Sequence, residues 1–261
     1  MRTVLGIGVS TELIRRWRRW YAPTRQPFPT DRLAPTIAAQ VPKHESAGSA
    51  EWRDTFFMYG GEWTWLTEEE VAGLAPRVRR SLMAGRRRAM SPKPQPLWPS
   101  QLARVGDGPM IDWIERGVRP SQHDHVPADC WRRADAPLPA ARLLAGSFPM
   151  TGSGANCFAT VVGAVEGPDA ASDWMQLETF AAWLSDRTRP IEGTSRDHEP
   201  GTVLVWTENG SLAHAAVTIG EGWTLCKPSQ AWSSPRLVWT VRQTVQAWRF
   251  HGTRLSRHRL V

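Results

Sequence analysis

Lysine is nearly missing from this chain: Lys43, Lys93 and Lys227 are its only lysines among 32 basic residues, so the formal charge of +7 rests almost wholly on arginine. An arginine bias beside abundant Ala, Pro and Trp fits a GC-rich coding sequence, whereas a nucleic-acid protein concentrates its basic charge on one face. Nucleic acid is therefore not an expected partner. Cysteine is also scarce. Cys130, Cys157 and Cys226 make an odd count without CxxC spacing, which excludes a disulfide framework and a zinc knuckle and leaves free thiols. No uncharged run of about 18 apolar residues is present, so no transmembrane helix is expected. The early apolar run Val4 to Val9 is shorter than the core of a signal peptide and is followed by Arg15, Arg16, Arg18 and Arg19, so the expected location is cytoplasmic. Internal repeats are absent, and Gly6-x-Gly8 lacks the spacing of a dinucleotide loop; no cofactor is expected.

What is there is enough for a core: 261 residues, 41% hydrophobic, with fifteen tryptophans. Ser10 to Tyr21 carries Leu13, Trp17 and Trp20 at helical spacing. Pro27 to Ser49 reads as a loop, and the aromatic stretch Trp52 to Trp65 as a short hairpin or an aromatic platform around Gly60-Gly61. Thr67-Glu68-Glu69-Glu70 has the form of a capping box, and Pro76 starts a helix running to about Met90. Six arginines, Arg77, Arg79, Arg80, Arg86, Arg87 and Arg88, lie on that helix and read as a solvated basic face. The four prolines between Ser91 and Ser100 suit an extended linker, which divides a mainly helical Trp/Arg-rich extension, residues 1–105, from a domain of residues 106–261. A short helix is expected at Met110 to Gly117. His123-Asp124-His125, with Asp129 and Cys130 nearby, gathers metal-ligand types among prolines and reads as a polar loop, so no metal is expected.

Beyond Ala140 the pattern becomes helix, helix, then strands. A Gly/Ser loop runs into Cys157 and a small-residue apolar helix, and Gln176 to Ser185 forms a second helix. Strands follow at Gly201 to Thr207, Leu212 to Ile219, Trp223 to Cys226 and Leu237 to Val245. Segregated helices and antiparallel strands make an α+β fold. Cys157 falls in the first turn of its helix, where unpaired amide N–H groups favour a thiolate. His214 is an isolated imidazole in a strand of small and apolar residues and is the best placed base for it. Cys157 and His214 are thus the candidate catalytic pair. Ser153 and Asn156, from the loop before the helix, and Trp223 are candidates for substrate contact.

Asn156-Cys157 opening a helix, the strand Pro200 to Trp206, and His214-Ala215-Ala216-Val217-Thr218-Ile219-Gly220-Glu221-Gly222 together resemble the NlpC/P60 cysteine peptidases, over roughly Gly146 to Val245. The resemblance implies a papain-like core, with N-terminal helices packed on an antiparallel sheet. It also implies attack by Cys157 on an amide or ester of a peptide or acylated small molecule, through an acyl-enzyme. A third residue orients the histidine in that family; its position is held here by Cys226, a poor acceptor, and Gln230 is the alternative orienter. An intracellular cysteine hydrolase or acyltransferase is the expected activity. The other reading is a catalytically inactive binding module of the same fold, whose Trp/Arg-rich N-terminal region engages a partner.

Overall fold

The computed structural model describes residues 2–45 and 48–261. Residues 46 and 47, inside the segment read as a loop, lie outside the described residues. The described residues form two compact units, one of residues 2–4 and 8–119, the other of residues 5–7 and 120–261.

The chain begins with β1 (Arg2–Val4) and β2 (Ile7–Val9), then α1 (Thr11–Tyr21) of the first unit, where the Ser10 hydroxyl accepts the Leu13 amide and Leu13, Ile14, Trp17 and Tyr21 are buried. The presumed loop and hairpin resolve differently from the sequence reading. β3 (Arg25–Pro29) is followed by α2 (Pro35–Ala38), α3 (Ala50–Phe56) and β4 (Trp63–Thr67), and β3 pairs antiparallel with β4 rather than the aromatic stretch pairing with itself. The capping box is present as read: Thr67 and Glu70 bond reciprocally at the start of α4 (Glu68–Gly73). α5 (Pro76–Met90) starts with Pro76 in its first turn and buries Val78, Leu82, Arg86 and Met90, a ridge spaced four residues apart. Phe28, Leu66, Val71, Val78, Leu82 and Trp98 form the core.

The proline-rich stretch is part of this unit and not a linker. Its carbonyls take donors from elsewhere in the unit: Gln26 Nε2 donates to Leu97 O at 2.8 Å and Arg86 Nη2 to Pro96 O at 3.0 Å. Such bonds hold a segment that cannot pair its own backbone. α6 (Pro99–Val105) and α7 (Gly108–Glu115) follow, and the division falls after Arg119 rather than after residue 105.

The second unit is α+β. α8 (Ala128–Ala134), α9 (Ala141–Leu144), α10 (Cys157–Glu166) and α11 (Leu177–Arg187) precede β5 (Thr188–Ile191), β6 (Pro200–Glu208), β7 (Ser211–Gly220), β8 (Trp223–Cys226) and β9 (Leu237–Thr240). α12 (Val241–Ala247) and β10 (Thr253–Leu260) close the chain, and the antiparallel sheet has the order β5-β10-β6-β7-β8-β9. The strand expected through Val245 therefore ends at Thr240, because Thr240 and Gln243 form a second capping box that turns the chain into α12. α10 packs on one face of the sheet, where Phe158, Val161, Val205, Ala215, Val217 and Leu225 share a core. Gly163 lets the turn after α10 fold back against the helix: a Cβ there would lie 2.5 Å from the Ala171 Cβ. Among the described residues no helix is long and apolar enough to cross a membrane.

Candidate functional site

Asn156 caps α10. Its Oδ1 accepts the Ala159 amide at 3.0 Å, and its Nδ2 donates to Met175 O at 2.8 Å. This fixes Cys157 as the first helical residue, with unpaired helix amides around it. The backbone N–H groups of Ala215, Phe158 and Cys157 itself are directed at the sulfur and favour its anion, as does the nearby Lys227 charge. Burial outweighs them and pushes the thiol up to about 11. β8 ends at Cys226, opposite Ala216, one residue short of the Ala215 whose amide meets the sulfur. Cys157 thus sits beside the part of β7 where the sheet loses a neighbouring strand.

His214 is the residue before Ala215, yet it is not paired with the thiol. The β6–β7 register shifts between Trp206 and Thr207, so that Ala213 has no partner and His214 stands opposite Trp206. Ala215 joins the core beneath α10, and alternation turns His214 to the other face. There the imidazole is fully buried and stacked on Trp248, with ring centroids 3.6 Å apart and planes at 9°; the Trp206 ring lies at 5.4 Å. Neither ring nitrogen has a hydrogen-bond partner among the described residues. Burial drives the imidazole down to about 3, so it is neutral near pH 7.

The other sequence-derived candidates have different posts. Gln230 does not orient His214; its carbonyl accepts the Gly154 amide at 3.0 Å. Cys226 does not either. It is buried, its sulfur bonds with Thr244 on α12, and its thiol is pushed up to about 12. Ser153 Oγ accepts the Trp232 amide at 3.0 Å, so Ser153 and Gly154 tie the loop before α10 to the loop after β8. Asn156 spends both ends of its amide on the cap and on Met175. Trp223 pairs with Gly220 and Thr240 at the opposite end of β8 from Cys226, about 10 Å along the strand, which removes it from the sulfur.

Sequence reasoning missed two residues of this site. Trp248, which covers His214, follows α12 in a stretch with no pattern to mark it. Lys227, one of only three lysines, is fully buried, and its ammonium donates to the carbonyls of Ser229 (2.5 Å), Ser234 (2.7 Å) and Ala231 (3.3 Å). The rarity of lysine was its one visible signal. His123–His125 forms a single tight turn, with His123 Nδ1 3.1 Å from Ser121 Oγ, and no group of three potential metal ligands gathers among the described residues. No protein-family model, curated protein or solved structure matches the chain.

Proposed function

We propose that the second unit is a cysteine hydrolase or acyltransferase of NlpC/P60-like, papain-like type, acting on an amide or ester of peptide character, here in a closed resting form. The observation that carries this reading is the sulfur of Cys157 at the first turn of α10 with three amide N–H groups on it, one supplied by the residue after His214. A second feature supports it. A buried imidazole with both nitrogens unpaired costs about 1–3 kcal/mol, and packing alone gives no return for that cost.

In the working form Trp248 leaves the His214 ring, and the backbone at the unpaired Ala213 turns over so that the imidazole reaches the sulfur's face of β7 past the end of β8. His214 then takes the thiol proton and the thiolate attacks the substrate carbonyl. The helix-start amides stabilise the oxyanion. The imidazolium gives its proton to the departing amine or alcohol, leaving an acyl group on Cys157. Water or a second amine, deprotonated by His214, releases the acyl group. Rehydration of the ring on opening raises its proton affinity, which base catalysis near neutral pH requires.

An aminoacyl p-nitrophenyl ester supplies an activated acyl donor for the test. The expected result is a burst of nitrophenolate, an acyl adduct on Cys157 in the intact mass, and loss of both in Cys157→Ala. Release that is the same in Cys157→Ala and His214→Ala as in the parent chain rejects the reading. The binding-module alternative is favoured by one observation, the lack among the described residues of any group orienting the His214 ring. It predicts no adduct with any acyl donor.

A further inference from the structure

The first unit contains a cleft for which the chemistry above has no use. It encloses about 360 Å³, within the range of small-ligand sites, and Phe57, Tyr59 and Trp63 line it together with Asp31, Arg32 and Arg88. Its rings are fixed in advance. Trp63 Nε1 donates to Gly60 O at 2.7 Å, and the Tyr59 hydroxyl donates to Oδ1 of the buried Asp54 at 2.9 Å, so both polar handles are occupied and the ring faces remain. Gly61 leaves room for the Asp31 carboxylate: its φ is +78°, and a Cβ there would lie 3.0 Å from Asp31 Oδ2.

Positive charge at the cleft is under-compensated. Arg88 is exposed and has no hydrogen-bond or ion-pair partner among the described residues, and Arg32, with 84% of its side chain exposed, meets Asp31 only at 3.8 Å. α5, which carries Arg88, has no acidic residue. Two positions before Arg88 on that helix, the Arg86 guanidinium is buried over the rings of Phe28 (4.9 Å) and Phe56 (5.3 Å), hydrogen-bonded to the Pro96 carbonyl and to no carboxylate among the described residues. Aromatic faces beside free guanidinium forks match a flat ring bearing an anion. Phosphate suits the fork, and Asp31 supplies an acceptor for a ring amine.

We propose that this cleft binds a nucleobase carrying a phosphate: the ring stacks on Tyr59 and Trp63, the phosphate meets Arg32 and Arg88, and Asp31 accepts from an exocyclic amine. A free mononucleotide and a single-stranded nucleic acid both present this chemistry.

Titration calorimetry and tryptophan quenching of the full chain test it, with adenosine monophosphate, uridine monophosphate, adenosine, inorganic phosphate and an eight-nucleotide poly-dA strand. Adenosine monophosphate is expected to bind at least tenfold more tightly than adenosine or phosphate alone, and more tightly than uridine monophosphate, whose ring has no exocyclic amine. Arg88→Gln, a change at an exposed and unpaired side chain, lowers that affinity about tenfold and leaves adenosine unaffected; Asp31→Ala, which removes the acceptor, abolishes the preference over uridine monophosphate. Trp63→Phe retains binding that Trp63→Ala loses. Strand binding with a steep salt dependence, and at least tenfold tighter than the mononucleotide, assigns the ligand to nucleic acid; comparable affinities assign it to the free nucleotide. Failure of both mononucleotide and strand to bind, phosphate binding as tightly as the mononucleotide, or an unchanged affinity in Arg88→Gln overturns the proposal. None of these results depends on Cys157.

Discussion

Two buried bases flank the site of Cys157 and are treated in opposite ways. Lys227 lies in the loop after β8 and has its ammonium in a cage of three carbonyls from Ser229, Ala231 and Ser234. His214 lies on β7, equally buried, with aromatic faces on it and, among the described residues, no acceptor or donor for either nitrogen. A base with a complete set of partners is structural: it folds the loop that bonds Ser153 and Gly154 in front of α10. A base with none is held neutral by burial alone, and its environment is the place where a small rearrangement changes proton affinity most.

The comparison is broken most severely at Lys227. Lys227→Met fills much of the same volume but leaves three inward carbonyls without their donor, so a loss of about 3–5 kcal/mol is expected in guanidinium unfolding. A loss under 1 kcal/mol would mean that the cage is not what folds the loop. Trp248→Ala comes next. The half-buried indole gives up packing of about 2 kcal/mol, below the cost of a fully buried tryptophan. The same change opens the His214 ring to water, and its proton affinity rises from a pKa of about 3 toward the ordinary 6.5. Histidine resonances followed by NMR across pH report this directly, and an unmoved His214 titration would show that Trp248 is not the cover.

How far these features were legible differs by residue. Asn156 was read as a substrate contact, although its place directly before the helix is that of a cap, which is the post the structure gives it. Thr67 to Glu70 and Pro76 name their helices, because capping acts over three or four residues. The same signature at Thr240 and Gln243 was hidden by the β-branched stretch around it. β10 has charged residues throughout and is a strand because β5 and β6 flank it, a pairing no local pattern carries. Arg86 was read with its exposed neighbours, although its spacing from Leu82 and Met90 puts it on the buried ridge. The face on which His214 emerges depends on one unpaired residue, Ala213, and a one-residue shift reverses every side chain beyond it. The positions of the candidate pair were thus readable, and their mutual geometry was not.

His214→Phe sharpens the contrast from the other side. An aromatic ring replaces the imidazole between Trp206 and Trp248 and removes two unpaired polar atoms, so stability at pH 7.5 is expected to change by less than about 1 kcal/mol. The pH dependence should change more clearly than the stability. In the folded chain the imidazole's pKa is depressed to about 3, while in the unfolded chain it is near 6.5, so the unfolded state binds the extra proton between those values. Its contribution to stability is intact above pH 6.5 and is lost as pH falls toward 3, at about 1.4 kcal/mol per pH unit. Unfolding curves between pH 7.5 and 5 should therefore show His214→Phe losing about 2 kcal/mol less than the parent chain. Equal losses would mean that the ring already reaches water in the folded protein.

The smallest expected effect is at Asn156. Asn156→Ala removes the cap on α10 and the bond to Met175 O, with a loss of about 1 kcal/mol, whereas Asn156→Asp keeps the acceptor for the Ala159 amide. The two variants separate cap from charge at the sulfur. An aspartate one residue before Cys157 adds an anion beside the thiol, which raises its pKa further and slows alkylation by iodoacetamide, while the alanine variant frays the first turn and relieves the burial that holds the thiol's pKa up, which speeds it. If both variants alkylate at the parent rate, neither the charge nor the burial at the first turn controls the reactivity of Cys157.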